Sequence, residues 1–188
     1  MQTYIVFDLE TNGIGSFRPP TQTITQIAFI KFNSDGEVLD QYSTVVKGAT
    51  LVNSLIPAVK ITMEQIRNEG VEPIVAYTRF LDAIDDDMII YAHNADFDVN
   101  LLKRALQDTT LEFPNNQIIC TMKSSSDYCK IPKTGYAARY GGFKWPSLSE
   151  LAARLEIEND NHNFHDALYD CQITKECILK GKQVGLFE

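Results

Sequence analysis

Apolar residues in the first quarter of the chain occur in short runs whose lengths are typical of β-strands. One run covers residues 3–8, a second covers 24–32, and a third covers 38–46. Residues 33–36, Asn-Ser-Asp-Gly, join the second run to the third and have the composition of a turn. Short β-rich runs joined by a glycine-containing turn predict an antiparallel meander.

Farther along the chain, the apolar residues adopt a helical spacing. The segment 62–65, Thr-Met-Glu-Gln, resembles a capping box that opens a short helix, and Pro73 suits the first turn of the next helix. The period of that second helix is expected to turn these residues inward: Ile74, Ala76, Tyr77, Leu81 and Ile84. Gly181 is expected to end the last helix.

Strands and helices alternate in the remainder of the chain. The expected strands cover residues 88–92 and 118–122, and the expected helices cover 96–106, 147–155 and about 166–179. Three strands followed by this alternation predict an α/β fold, in which helices flank a mixed five-stranded sheet.

The composition is that of a globular protein. The 188 residues suffice for one compact domain, with 44% hydrophobic and 10% aromatic content. No apolar run approaches the length of a membrane span, and the N-terminus leads directly into a strand pattern, so a cytoplasmic protein is expected. The four cysteines lack CxxC spacing and are expected to be reduced: Cys120, Cys129, Cys171 and Cys177.

The net charge of the chain bears on how it could bind nucleic acid. A formal net charge of −8 argues against a protein that coats long nucleic acid by bulk electrostatics. It is compatible with an enzyme that grips a few nucleotides at a metal site, because bound ions would neutralise part of the negative charge.

Two acidic residues, Asp8 and Glu10, follow the first apolar run and are two positions apart. Side chains alternate along a strand, so both carboxylates lie on the same face. Two carboxylates held on one face repel each other, and a divalent cation with oxygen ligands is the usual means of stabilising such a pair. The pair therefore predicts a metal site.

Two further acids and a histidine occupy comparable positions. Asp98 lies in the first turn of the helix after a buried strand, and Asp170 lies at the start of the last helix, five residues after His165. Taken singly, acids at such places are usually turn formers or helix caps, as we expect for Asp96 and Asp166. Taken together, they predict a site for two Mg²⁺ or Mn²⁺ ions that promote phosphoryl displacement, with His165 as the base.

Three segments resemble the motifs of the DEDDh 3′→5′ exonucleases, the proofreading-exonuclease family. They are residues 6–13 (Val-Phe-Asp-Leu-Glu-Thr-Asn-Gly), 93–98 (His-Asn-Ala-Asp-Phe-Asp) and 165–170 (His-Asp-Ala-Leu-Tyr-Asp). Their order and spacing also resemble the family. The resemblance implies an RNase H-like fold. It further implies a metal-dependent exonuclease of DNA replication or repair that releases nucleoside 5′-monophosphates from DNA 3′ ends, single-stranded ends in particular.

The resemblance also implies catalytic roles, position by position. Asp8, Glu10 and Asp170 would bind the catalytic metal, and Asp8 would bridge to a second ion. Asp98 would complete the metal's shell directly or through water. His165 would be the general base. Glu10 would also meet the terminal 3′-hydroxyl of the substrate.

Substrate contacts are implied in the same way. Leu9 would pack against the terminal base, Thr11 would meet the 3′-hydroxyl, and Asn94 would lie close to the substrate. Of the two remaining histidines, His93 would support its loop, whereas His162 lies off the motif spacing and is expected to be a solvated loop residue.

Two alternatives remain open at the level of sequence. An exoribonuclease of the same fold could trim RNA or degrade oligoribonucleotides, because nothing in the motifs reports unambiguously on the 2′-hydroxyl. A non-catalytic nucleic-acid-binding module could keep the fold and lose the chemistry, although all five motif residues are present here.

The segment between Met122 and Trp145 combines positive charge with aromatic residues. The segment contains one acidic residue, Asp127, and five basic residues, which gives it a net charge of +4. The basic residues are Lys123, Lys130, Lys133, Arg139 and Lys144. Cations that track phosphates and aromatic faces that stack on bases are what single-strand binding requires, which predicts substrate contacts by Lys133, Arg139 and Lys144. The alternative is a long connection whose aromatic residues seal the core.

The last residues, 181–188, are expected to form a tail after an exonuclease domain at 1–180. Gln183, Leu186 and Phe187 resemble the short peptide by which bacterial replication proteins dock on the sliding clamp. This resemblance implies a clamp partner and favours DNA as the substrate. The alternative is that Leu186 and Phe187 fold back onto the core.

Overall fold

A computed structural model of the chain describes residues 2–13 and 22–187. Its strands are Thr3–Thr11 (β1), Ile24–Asn33 (β2), Val38–Val45 (β3), Ile89–Ala92 (β4) and Ile118–Cys120 (β5). They form one sheet in the order β3-β2-β1-β4-β5. β2 pairs antiparallel with both β1 and β3, whereas β4 is parallel to β1 and β5 is parallel to β4. The predicted meander and the mixed five-stranded sheet are confirmed.

The helices flank this sheet. They are Met63–Asn68 (α1), Pro73–Leu81 (α2), Ala95–Leu106 (α3), Thr121–Ser124 (α4), Ser126–Cys129 (α5), Leu148–Arg154 (α6) and Ala167–Gln183 (α7), with a 3₁₀ helix at Gly135–Tyr140. Within the described ranges, none of these helices has the length and apolarity needed to cross a bilayer. All four cysteines are free, as predicted.

Two apolar layers enclose the sheet, and they decide where the acids of β1 lie. Residues of α2 and α3 pack on one face against the odd-numbered residues of β1: Ile5, Phe7 and Leu9. Residues of α7 pack on the other face against the even-numbered residues Tyr4 and Val6. The alternation of a strand therefore places Asp8 and Glu10 on the α7 face.

The start of α2 agrees only partly with the sequence prediction. The Thr62 capping box before α1 and Pro73 at the start of α2 are both present. Ile74, however, is 45% exposed, so its predicted inward position is wrong. The buried residues of α2 include Ala76 and Phe80. Ile74 lies two residues before Ala76, about 200° around the helix, and so faces outward.

The predicted helix caps also had different outcomes. Asp166 caps α7, since its side chain accepts a hydrogen bond from the backbone N–H of Tyr169 at 3.0 Å. Asp96 does not cap α3 and instead pairs with Lys123. Asn94 takes the N-cap position with a left-handed φ of 72°, a conformation that asparagine tolerates.

Gly181 does not end α7, which continues to Gln183. The predicted boundary between residues 180 and 181 therefore falls inside a helix. A Cβ on Gly181 would lie 2.4 Å from a ring carbon of Phe187, so glycine is required here by close packing. Phe187 is 6% exposed, and its ring centroid lies 6.3 Å from that of Tyr91.

Phe187→Ala is expected to lower the free energy of unfolding by about 3 kcal/mol, because the substitution empties a buried aromatic site. Val184→Ala is the matched control, since Val184 lies in the same tail and is 49% exposed. Its effect is expected to stay within about 0.5 kcal/mol. Urea unfolding of both variants measures the difference. Equal stabilities would show that the tail does not pack as described.

Candidate active site

The site forms where β1 extends past its parallel neighbour. Pairing with β4 ends at Val6, whereas pairing with β2 continues to Thr11. Beyond the end of β4, the backbone N–H of Leu9 donates to Oδ1 of Asp98 at 3.2 Å. Asp98 is buried in the first turn of α3. This hydrogen bond joins the second motif to the first.

Gln26 of β2 fixes the third motif beside the first. It is the cross-strand partner of Glu10. Its Nε2 donates to the Asp166 carboxylate at 3.1 Å, and its Oε1 accepts from the backbone N–H of Ala167 at 3.2 Å. The first turn of α7 is therefore held directly against the strand that flanks Glu10.

His165 and Asp170 are joined within the third motif. The backbone N–H of His165 donates to Oδ2 of Asp170 at 3.2 Å. The φ of His165 is 68°, a left-handed conformation that costs a residue with a Cβ roughly 1–2 kcal/mol. Potential ligand atoms of Glu10, His165 and Asp170 all lie within 4.8 Å of one another.

These elements enclose a cleft of about 560 Å³. All five predicted metal and base residues line it: Asp8, Glu10, Asp98, His165 and Asp170. The residues predicted to contact the 3′ end line it as well: Leu9, Thr11 and Asn94. The fold thus gathers into one cleft the residues of three segments that are far apart in sequence, while the role of each residue stays a prediction.

Burial makes this cleft costly for negative charge. It raises the pKa of Asp8 well above its usual value, and the charges of the neighbouring carboxylates, Asp98 foremost, raise it further. Burial likewise raises the pKa of Asp98, although the hydrogen bond from Leu9 opposes the effect.

The two acids on the α7 side show the same trend. Burial, followed by the charges of Asp170 and Asp166, raises the pKa of Glu10 to about 8. Burial raises the pKa of Asp170 to about 6, opposed by the hydrogen bond from His165. Oδ1 of Asp170 is also buried with no hydrogen-bond partner among the described residues.

The donor set fits a divalent cation. Four carboxylates and an imidazole are ligands that such ions accept, and hard cations such as Mg²⁺ and Mn²⁺ favour the carboxylate oxygens. A cation would satisfy the buried, unpartnered oxygen of Asp170 and offset the repulsion that raises these pKa values.

The histidines of the second and third motifs differ in their surroundings. Nδ1 of His93 lies 3.0 Å from Oγ1 of Thr121, and its Nε2 lies 3.1 Å from the carbonyl oxygen of Pro146. Burial lowers the pKa of His93 to about 4, so a neutral ring joins the start of α4 to the loop before α6. His165 has its side chain at the cleft, and burial followed by the charge of Lys60 lowers its pKa.

The three predicted substrate cations lie outside this cleft. Lys133 donates to a backbone carbonyl at 2.7 Å, and Lys144 pairs with Glu150 at 2.6 Å. The guanidinium carbon of Arg139 lies 5.2 Å from the ring centroid of Tyr136. Lys133 and Lys144 line a second cavity instead.

The predicted clamp-binding residues are held differently from one another. Gln183 is exposed at the end of α7, Leu186 is half-buried, and Phe187 is buried. Docking through Phe187 would require this ring to leave its contact with Tyr91. Clamp binding stays a prediction.

Sequence reasoning missed Gln26 and Lys60. Gln26 is a 6% exposed polar residue inside the apolar run of β2, and that interruption was the available signal. Nζ of Lys60 donates to the carbonyl oxygen of His162 at 2.7 Å, close enough to influence His165. No local pattern marks Lys60, because its partner is about a hundred residues away.

Comparisons with known proteins agree with this geometry. The RNase T family model, described as an exonuclease, matches residues 5–178. DNA polymerase III PolC-type of Listeria welshimeri is 29% identical over 174 residues, which cover 92% of this chain and 11% of the polymerase. The chain therefore spans only a small part of the length of that curated relative.

Solved structures share the fold. The zinc-bound complex of E. coli exonuclease I with single-stranded DNA has a TM-score of 0.72 at 19% identity, covering 100% of this chain and 42% of that one. The nuclease domain of 3′hExo, a DEDDh family member bound to rAMP, has a TM-score of 0.72 at 17% identity. The match covers 98% of this chain and 94% of that one.

The family model spans nearly the whole sheet and its flanking helices, and the solved relatives reproduce that arrangement. The chain therefore belongs to the RNase T family of exonucleases and contains a hydrolytic exonuclease domain.

Proposed function

We propose that this domain is a 3′→5′ exonuclease that uses two divalent ions to remove nucleoside 5′-monophosphates from single-stranded DNA ends. The observation that carries the proposal is the convergence of four carboxylates and His165 around one cleft. Support for the substrate comes from the relatives: exonuclease I was solved with single-stranded DNA, and the PolC-type protein is a DNA polymerase.

Exonucleases of this fold use divalent metal ions. In this chain, Asp8, Glu10 and Asp170 would hold the catalytic ion, Asp8 would also reach the second ion, and Asp98 would complete the shell. Either Mg²⁺ or Mn²⁺ suits these oxygen donors. Bound ions supply Lewis-acid polarisation of the scissile phosphate and activation of water.

The remaining chemistry belongs to the protein's own groups. His165 accepts a proton from water, whose oxygen forms a bond to phosphorus as the bond from phosphorus to O3′ breaks. The terminal nucleotide leaves with its 5′-phosphate, and the shortened strand takes up a proton on its new 3′-hydroxyl. Because burial and Lys60 lower the pKa of His165, its ring is unprotonated at neutral pH and can act as the base.

Substrate positioning follows from the cleft lining. Leu9, Thr11 and Asn94 line the same cleft as the carboxylates, which supports contact with the terminal nucleotide. Lys133, Arg139 and Lys144 lie outside the cleft lining, and their positive charge suits the phosphates of the upstream strand.

A second candidate substrate is RNA. The 3′hExo nuclease domain was solved with rAMP, a ribonucleotide, and shares the whole fold with this chain. Matched DNA and RNA oligonucleotides distinguish the two candidates.

The tail and the location complete the proposal. Sliding-clamp docking through Gln183, Leu186 and Phe187 would link the domain to replication, in keeping with the PolC-type relatives. The protein would then work in the cytoplasm, where bacterial replication takes place. Clamp capture by the full chain, compared with a chain that lacks residues 183–188, tests this part. Capture of both forms would remove the tail from the proposal.

With Mg²⁺, the protein is expected to shorten 5′-labelled single strands one nucleotide at a time and to release nucleoside 5′-monophosphates, whereas a chelator abolishes the reaction. His165→Ala is expected to lower kcat by about 10²–10⁴-fold while it retains metal and strand binding, because only the proton acceptor is lost. Gel time courses and filter binding measure the two properties. Asp98→Ala serves as the inactive control, and near-normal kcat for His165→Ala would refute its role as base.

Stability of the metal-free protein is expected to fall as pH rises from 5 to 8. In the unfolded chain these carboxyls titrate near pH 4, whereas folding raises the pKa of Asp170 to about 6 and of Glu10 to about 8. A group whose pKa is raised by folding loses its stabilising contribution as the pH rises through the folded pKa. Measurements of Tm between pH 5 and 8, in the presence of a chelator, give the change of stability with pH.

Mn²⁺ is expected to reverse that loss. At about 100 times its Kd, the ion adds about 2.7 kcal/mol, which raises Tm by roughly 5–10 °C. Asp8→Asn is expected to raise the metal-free Tm at pH 8, because one repelling charge is gone, and to weaken the response to Mn²⁺. A metal-free Tm that does not vary between pH 5 and 8 and does not respond to Mn²⁺ would contradict this account.

A further inference from the structure

A second cavity of about 490 Å³ lies on the loop that precedes α6. Its lining combines apolar and cationic side chains: Lys133, Thr134, Ala137, Phe143, Lys144 and Trp145. Neither the carboxylates nor the 3′-end residues of the first cleft contribute to it. The proposed hydrolysis uses cations of this segment for the phosphates of the strand but leaves the apolar lining of the cavity without a role.

Aromatic rings around this cavity are unusually open to solvent. Trp145 is 56% exposed, and the neighbouring Tyr136 and Tyr140 are 68% and 69% exposed. The two tyrosines contact each other, with ring centroids 5.6 Å apart and a hydrogen bond between their hydroxyls at 2.9 Å. The alternative considered from the sequence, in which these aromatics seal the core, does not hold for these three residues.

Cations surround the rings, in a chain whose net charge is negative. Nζ of Lys123 lies 5.6 Å from the ring centroid of Trp145, and Arg139 lies over Tyr136. Lys133 lines the cavity itself. Flat apolar faces edged by positive charge complement a single strand of nucleic acid, whose bases stack on aromatic rings while its phosphates attract cations.

The cavity adjoins the carboxylate cleft. Ser147 lines the cleft and Trp145 lines the cavity, so the two are separated by at most about 7 Å of chain. Met122 lines the cleft directly before Lys123, whose side chain lies over Trp145. Pro146, between Trp145 and Ser147, is held by its hydrogen bond with the half-buried ring of His93. Lining residues of the cleft are thus chain neighbours of Trp145 and of the lysine that lies over its ring.

We infer that the Trp145 cavity receives one unstacked base of the same strand whose 3′ end lies in the carboxylate cleft. The inference rests on the proposed function and adds a second binding site to it, upstream of the scissile bond. The site reads the presence of a base rather than its identity, because every base offers a flat face to an aromatic ring. It would hold the strand between successive cleavages.

An abasic scan tests the inference. Single-stranded oligonucleotides, each with one base removed at a defined distance from the 3′ end, are compared by KM and kcat in the full chain. For the wild-type protein, one position near the 3′ end is expected to raise KM by roughly 5- to 100-fold, the effect of losing one stacked base. Trp145→Ala is expected to raise KM for the intact strand similarly and to remove the effect of that abasic position.

Three controls separate stacking from other causes. Trp145→Phe keeps an aromatic face and is expected to restore most of the affinity. Val75→Ala removes a comparably exposed apolar side chain from α2, at 53% exposure, and is expected to change nothing. Joint neutralisation of Lys133, Arg139 and Lys144 is expected to raise KM and flatten its salt dependence, whereas Trp145→Ala leaves the salt dependence unchanged.

The outcomes keep the two proposals apart. A wild-type protein that degrades neither DNA nor RNA would overturn the proposed function itself. An active protein for which Trp145→Ala leaves KM unchanged, with no abasic position singled out, would overturn only the inference. A strand shortened so that it lacks the position that the abasic scan identifies cannot fill the cavity, so its kcat and KM are expected to be the same for Trp145→Ala and wild type. A loss there would assign Trp145 to the architecture of the cleft instead.

Discussion

Repulsion among four carboxyl groups, of which Asp98 and Asp170 are buried and Asp8 and Glu10 half-buried, is the constraint on which the rest of the structure depends. Two like charges 4 Å apart repel by about 4 kcal/mol where the effective dielectric constant is near 20, and burial raises the cost further, as the pKa values of Asp8 and Glu10 show. The fold holds such groups together with backbone donors, from Leu9 to Asp98 and from His165 to Asp170. These hydrogen bonds hold the carboxylates in place, but the neutral backbone donors do not neutralise the negative charge. The remaining negative charge favours a bound cation.

Apolar packing provides the rigidity against which this repulsion acts. Helices α2 and α3 cover one face of the sheet and α7 covers the other, so β1 is fixed from both sides where its acids begin. Gln26 then ties α7 to β2 at the level of Glu10. Left-handed backbone at Asn94 and His165 falls within the second and third motifs. Strain of this kind persists only where surrounding packing over-determines it, and it is common at sites that position reacting groups.

The sequence predicted the site best where the alternation of side chains along a strand agreed with the three acidic motifs. Alternation along β1 put Asp8 and Glu10 on one face, and the three motifs together indicated the cleft that the structure forms. Ile74 faces outward despite its apolar side chain, because hydrophobicity alone does not set the rotation of a short helix. The constraint on Gly181 is not the end of a helix but the ring of Phe187, which packs against it where the chain folds back. Such tertiary contacts leave no local signal, whereas the cations and aromatic residues around Trp145 mark their segment in the sequence.

The central claim is that three remote segments build one site for a pair of divalent cations. Anomalous diffraction from crystals soaked in Mn²⁺ tests it most directly, because it locates the ions without reference to activity. The account predicts anomalous peaks among the carboxylates of Asp8, Glu10 and Asp170, with Asp98 close by. Crystals in which Asp8 and Asp170 lie apart, or in which saturating Mn²⁺ gives no peak beside them, would contradict it.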